Sequence, residues 1–142
     1  MGSTFERRRA RVYVAGPISS DPMKGVARAT EVSRDLFLAG LAPFVPHWDS
    51  LWLLGEGHWE AYLEFDLEFV AVCDAVYRLA GASRGADKEV EVANELSIPV
   101  YYEACSGEYA RSCPPACHGN MEALLLDMET LSLTGTKGKV VT

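Results

Sequence analysis

The run Ser83-Arg84-Gly85-Ala86-Asp87-Lys88-Glu89 gathers a hydroxyl, a guanidinium, small residues and two carboxylates in one short stretch. Small residues let backbone approach a ligand, and a helix starting there aims unpaired N–H groups at an anion. Glu89 then falls in the first turns of that helix, close to the loop. Such a glutamate most commonly serves the helix dipole or a surface ion pair, so it acquires chemistry only with a partner. Asp66 offers one. It sits in Glu64-Phe65-Asp66-Leu67-Glu68, on the apolar-rich face of a predicted helix, where burial without a partner would be costly. The plain alternative is a solvated helix face, since Glu60, Glu64 and Glu68 are nearby. A third group is Cys105, Cys113, Cys117 and His118. Its spacing does not match paired C-x-x-C halves, and Pro114 and Pro115 stiffen the segment. The expectation there is reduced thiols in an excursion over residues 105–118, with no metal and no cofactor.

The elements that must position these groups follow from periodicity. Arg11 to Ala15 is β-rich and apolar and breaks at Gly16-Pro17, so it reads as a buried strand entering a loop. Asp21-Pro22 opens a helix whose buried stripe is Val26, Ala29, Val32 and Leu36, with Gly40 closing it. Leu41 to Val45 is a second strand stopped by Pro46, and His47 to Gly57 an aromatic loop. A helix over His58 to Cys73 is expected to bury Ala61, Phe65, Phe69 and Val72. Asp74 to Leu79 is a third strand, Gly81 to Ala86 a small-residue loop, and Asp87 to Leu96 a helix. Ile98 to Tyr102 forms a fourth strand, and Asn120 to Leu131 a last amphipathic helix. This alternation predicts a single doubly wound, flavodoxin- or Rossmann-like parallel sheet with helices on both faces. Ligands of such sheets bind at the carboxyl ends of the strands, near a switch point, and the Gly16 and Gly81 loops should share that edge.

The whole chain, 142 residues, fits one domain over residues 11–134, flanked by a basic arm (1–10) and a mobile tail (135–142). Its net charge of −7 argues against a binder of nucleic-acid polymers, because duplex affinity comes largely from Lys and Arg. Arg7, Arg8, Arg9 and Arg11 read as a solvated arm. No apolar run reaches the length of a membrane span and no secretory leader is recognisable, so a cytoplasmic protein without membrane contact is expected.

Read in order, Val12-Tyr13-Val14-Ala15-Gly16-Pro17-Ile18, then Asp66-Leu67 ahead of Asp74, then Gly85-x-x-x-Glu89-x-x-x-Ala93 resembles the nucleoside 2-deoxyribosyltransferase superfamily. The site pattern is most similar to its 2′-deoxynucleoside 5′-phosphate N-hydrolases and to phage-borne relatives. The resemblance covers about Arg11 to Tyr102. It implies that Glu89 attacks the anomeric carbon to form a glycosyl ester, and that Tyr13 orients that carboxylate. It implies that Asp66 contacts base or sugar and helps protonate the leaving base, with Ile18 and His47 flanking the base. It also implies a homodimer or higher homo-oligomer. The chemistry is coherent: a sugar carbon passing through an oxocarbenium-like state is trapped by one carboxylate while an acid protonates the base.

Six residues before the nucleophile, the transferases carry an aspartate and the monophosphate hydrolases a serine; here the residue is Ser83. With Arg84, Gly85 and backbone amides, and with Gly16 and Ser19 from the first loop, it would favour a 5′-phosphate where an aspartate would repel one. The expected activity is therefore cleavage of a (2′-deoxy)nucleoside 5′-monophosphate to release a nucleobase. Base exchange on free deoxynucleosides is the alternative, and a non-catalytic nucleotide-binding module a second. Trp48, Trp52 and Trp59 are candidates for stacking on the base or for packing a lid.

Overall fold

The computed structural model describes residues 5–7, 9–17, 22–51, 59–106 and 113–130. Strand β1 (Arg11–Ala15) is followed by helix α1 (Pro22–Leu38), β2 (Ala42–Phe44) and a 3₁₀ turn (Pro46–Leu51). Then come α2 (Trp59–Val70), β3 (Ala75–Arg78), α3 (Arg84–Glu95), β4 (Val100–Tyr102) and α4 (Met121–Thr130). The strands form one sheet in the order β2-β1-β3-β4, and every pairing is parallel. The chain winds from β1 outward to β2, then returns past β1 to β3 and proceeds to β4. The reversal of direction lies between β1 and β3, where a doubly wound sheet leaves a crevice at its carboxyl edge.

Side-chain alternation along β1 divides the interior into two layers. Val12 and Val14 face a core with Ala29, Val32 and Leu36 of α1 and Leu124 and Met128 of α4. Tyr13 and Ala15 face the opposite way, into a core with Val70 of α2 and Ala86 and Ala93 of α3. Ala29, Val32 and Leu36 of the predicted α1 stripe are thus buried as their spacing requires, while Val26, in the first turns, is half-buried.

The face of α2 differs from the expectation. Phe65 is 43% exposed, Val72 is 51% exposed, and Ala61 also faces solvent. The helix ends at Val70, and its inward positions are Tyr62, Leu63, Asp66, Leu67, Phe69 and Val70. Val72 lies beyond that end, so the helical period no longer applies to it. The basic arm also departs from the expectation of a solvated segment. Arg7 pairs with Asp74, while Arg9 donates to the carbonyls of Phe37 and Leu41 at 3.0 and 2.9 Å and lies 4.6 Å from the Phe37 ring centroid. No helix among the described residues is long and apolar enough to cross a membrane.

Candidate active site

Tyr13 is the central residue of β1 and is fully buried. Its ring is 5.6 Å from that of Phe44 on the neighbouring strand, and Phe44 in turn stacks on Phe69 of α2 at 4.2 Å. This aromatic row fixes the tyrosine ring, because rotation would displace a close-packed neighbour. The hydroxyl then meets α3. It donates a hydrogen bond to Oε2 of Glu89, a contact across 76 positions of sequence.

Glu89 is only 5% exposed, so it is not the surface glutamate that its helix position alone would favour. A carboxylate in such a place is among the more expensive groups a core can hold. The Tyr13 hydrogen bond returns about 1.5–3 kcal/mol of the several kcal/mol that desolvation of a carboxylate costs. The chain holds an oriented acid beside the β1–β3 switch point.

Asp66 belongs to the inward stripe of α2, the helix that packs against α3 and carries Phe69 of the aromatic row. It is half-buried, and its Oδ1 is shielded from solvent. His47 is 3% exposed and sits in the 3₁₀ turn that leaves β2 at the same edge of the sheet.

The loops after β1 and β3 touch. A Cβ on Gly16 would lie 2.7 Å from Cβ of Leu79, and one on Gly81, whose φ is +115°, would lie 2.9 Å from Pro17. Both loops therefore occupy one edge, and both glycines are required by close approach rather than by turn geometry alone. Ser83 follows as the N-cap of α3, its hydroxyl accepting from the Ala86 amide at 3.1 Å. The helix thus starts at Arg84 rather than at Asp87, and Ser83, Arg84 and Gly85 form its leading end. Arg84 is exposed and Gly85 half-buried. Ile18 and Ser19 lie outside the described residues, as do Trp52 and the side chain of Trp59. Trp48 is 45% exposed, and its Nε1 donates to Thr30 at 3.1 Å.

Two residues that hold this edge together were not anticipated. Arg78, 8% exposed at the end of β3, donates to the carbonyls of Leu79 and Gly81 and to Asp87, the last two at 2.9 and 3.1 Å. One guanidinium thus ties the loop to the first turn of α3. Glu103, just past β4, accepts from the Ala80 amide at 2.9 Å and from Arg28 of α1. The available signal was a charged residue closing an apolar strand, Ala75-Val76-Tyr77-Arg78.

This is an α/β fold of the doubly wound class, with a buried tyrosine–glutamate pair beside its switch point. Residues 10–102, more than half of the chain, match the model of a family described as a domain of unknown function, DUF4406, and the chain belongs to that family. Among solved structures it is similar to a 2-deoxyribosyltransferase from the psychrotolerant bacterium Bacillus psychrosaccharolyticus. The two are 26% identical with a TM-score of 0.52, over 66% of this chain and 71% of the other. It is also similar to a conserved protein from Enterococcus faecalis V583, 17% identical with a TM-score of 0.52, over 87% and 88% of the two chains. That second likeness concerns the fold alone. No curated protein matches the chain. The first likeness supports the superfamily resemblance carried by the Tyr13, Asp66 and Glu89 motifs.

Proposed function

We propose that the protein cleaves the N-glycosidic bond of a (2′-deoxy)nucleoside 5′-monophosphate, with Glu89 as nucleophile. The observation that carries this reading is the Tyr13–Glu89 pair, a buried carboxylate oriented by a tyrosine of the central strand β1. Tyr13 engages Oε2 and so orients the carboxylate, one oxygen of which attacks the anomeric carbon. A bond forms from that oxygen to C1′ as the C1′–N bond breaks, and the electron pair leaves with the nucleobase. Asp66 is the acid that protonates the departing ring nitrogen. Asp66, now a carboxylate, takes a proton from water as that water attacks C1′; the ester opens, Glu89 regains its charge, and a sugar 5-phosphate departs.

Support for the phosphate comes from the leading end of α3. Ser83 accepts from the Ala86 amide and still has its own proton to give. The first N–H groups of a helix lack intrahelical partners and favour an anion. Arg84 adds a positive charge beside them.

A second reading, base exchange on free deoxynucleosides, draws on the likeness to the 2-deoxyribosyltransferase. A homo-oligomer is compatible with both readings. The deciding experiment is a panel of nucleosides and 5′-monophosphates, each incubated with and without a second free base and resolved by chromatography. The expected result is base release from a monophosphate without need of an acceptor. Turnover only of free nucleosides, and only with an acceptor base, would select the second reading. Turnover of none would remove the enzymatic reading.

A further inference from the structure

The segment between β4 and α4 holds three of the four cysteines, of which only Cys113 and Cys117, with three residues between them, are spaced as a ligand pair. The fold nevertheless brings them together: the Sγ atoms of Cys105, Cys113 and Cys117 all lie within 4.8 Å of one another. Backbone hydrogen bonds anchor two of them. The Cys105 amide donates to Tyr102 at 3.1 Å, closing a turn off the end of β4. Cys117 forms a parallel bridge with Val100, and the His118 amide donates to the Val100 carbonyl at 2.9 Å. The Cys117 amide also donates to Pro114 at 2.9 Å, so the Pro114-Pro115 turn folds Cys113 back onto Cys117. The prolines that stiffen the segment are what juxtapose its thiols.

We propose that Cys105, Cys113 and Cys117 form a zinc site of three thiolates, with the fourth position open to solvent or a small ligand. Sulfurs on a zinc tetrahedron, at about 2.3 Å from the metal, stand about 3.8 Å apart. The observed cluster needs only a small contraction to reach that spacing. All three side chains are half-buried, which lets an ion in and then shields its bonds. His118 is exposed and its Nδ1 lies 3.0 Å from the Ala116 carbonyl, so it is not assigned as the fourth ligand. A soft, sulfur-rich, tetrahedral donor set favours zinc over hard cations such as magnesium or calcium. The bound ion would lash the excursion to β4 and set the approach of α4.

Cys73 supplies the control. It is 8% exposed in the layer between α2 and the sheet, and burial pushes its thiol up to about 12. Zinc should be measured by mass spectrometry of the elements on full-length protein purified in reducing buffer without chelator. The protein stripped of metal should then be titrated with cobalt. The expected result is about one zinc per chain, displaced by a mercurial, and a cobalt spectrum with thiolate charge transfer and intense tetrahedral bands. Cys113→Ser and Cys117→Ser should each lose charge-transfer intensity, whereas Cys73→Ala should keep it. The cobalt titration of the wild type stands even if a serine variant fails to fold. Absence of metal with no cobalt charge transfer would overturn the proposal. So would iron or copper in place of zinc, or an intact mass two hydrogens light from a disulfide among the three.

Discussion

The two faces of the sheet are built from alternate residues of the same strand, yet they bury very different things. Val12 and Val14 meet α1 and α4 in a largely apolar layer. Ser33 donates to its own helix at the Ala29 carbonyl, 2.6 Å away, and the Tyr101 hydroxyl reaches Asp127 at 2.5 Å. Tyr13 and Ala15 meet α2 and α3 in a layer that encloses the carboxylate of Glu89. Both layers close the same sheet, so the fold does not require an acid in either. The face toward α1 and α4 is organised for stability. The face toward α2 and α3 holds a buried carboxylate, the arrangement that the proposed function uses.

This contrast can be broken or sharpened by substitution. Glu89→Gln keeps the shape of the side chain and removes the nucleophile, so base release should fall by about a thousandfold or more, or about 4 kcal/mol in the barrier. The melting temperature should hold or rise, because a buried charge is removed. Chromatographic assay and thermal melts on the same preparation check both halves. Leu124→Ala on the opposite face should do the reverse, lowering stability by about 2–5 kcal/mol in denaturant titrations while the folded fraction keeps its kcat. A large kcat loss in that variant would erase the division of labour between the faces.

Ser83→Asp sharpens the argument about substrate. Aspartate is as good an N-cap as serine, so α3 should be undisturbed. A negative charge at that point should lower kcat/KM for a monophosphate about a hundredfold relative to its free nucleoside. An unchanged ratio would reduce Ser83 to a cap. Tyr13→Phe keeps the aromatic row and deletes the hydroxyl, and a loss of about tenfold in kcat with KM little changed is expected if it orients Glu89. Smallest of all, Tyr101→Phe should cost about 1 kcal/mol of stability, with no kinetic effect.

Much of the sheet was legible because strands and the α1 stripe are local patterns. Ala29, Val32 and Leu36 repeat at helical spacing, and each strand ends at glycine, proline or a polar residue. The start of α3 was placed late because Gly85 and Ala86 resemble loop residues, and the cap at Ser83 depends on a hydroxyl-to-amide bond that spacing does not encode. The inward face of α2 was misassigned through Phe65 and Val72, which are apolar yet exposed. The candidate site lies at the far end of this scale. A glutamate reads as solvated until its partner is known, and Tyr13 is 76 positions away on another element. Family resemblance, rather than periodicity, pointed to that pair. Arg78 escaped for the same reason, since its partners are set by tertiary contact, and the cysteines were singled out in the sequence but without the convergence that the fold gives them.

The central claim, that Glu89 is a nucleophile, is tested most directly by trapping its ester. The protein should be mixed with a 2′-deoxynucleoside 5′-monophosphate, quenched in acid within the first turnovers, digested, and mapped by mass spectrometry. The account predicts one deoxyribosyl 5-phosphate unit on the peptide bearing Glu89, absent from Glu89→Gln. Base release by the wild type with no such adduct on Glu89 under any quench time, or with the adduct on another residue, would contradict it.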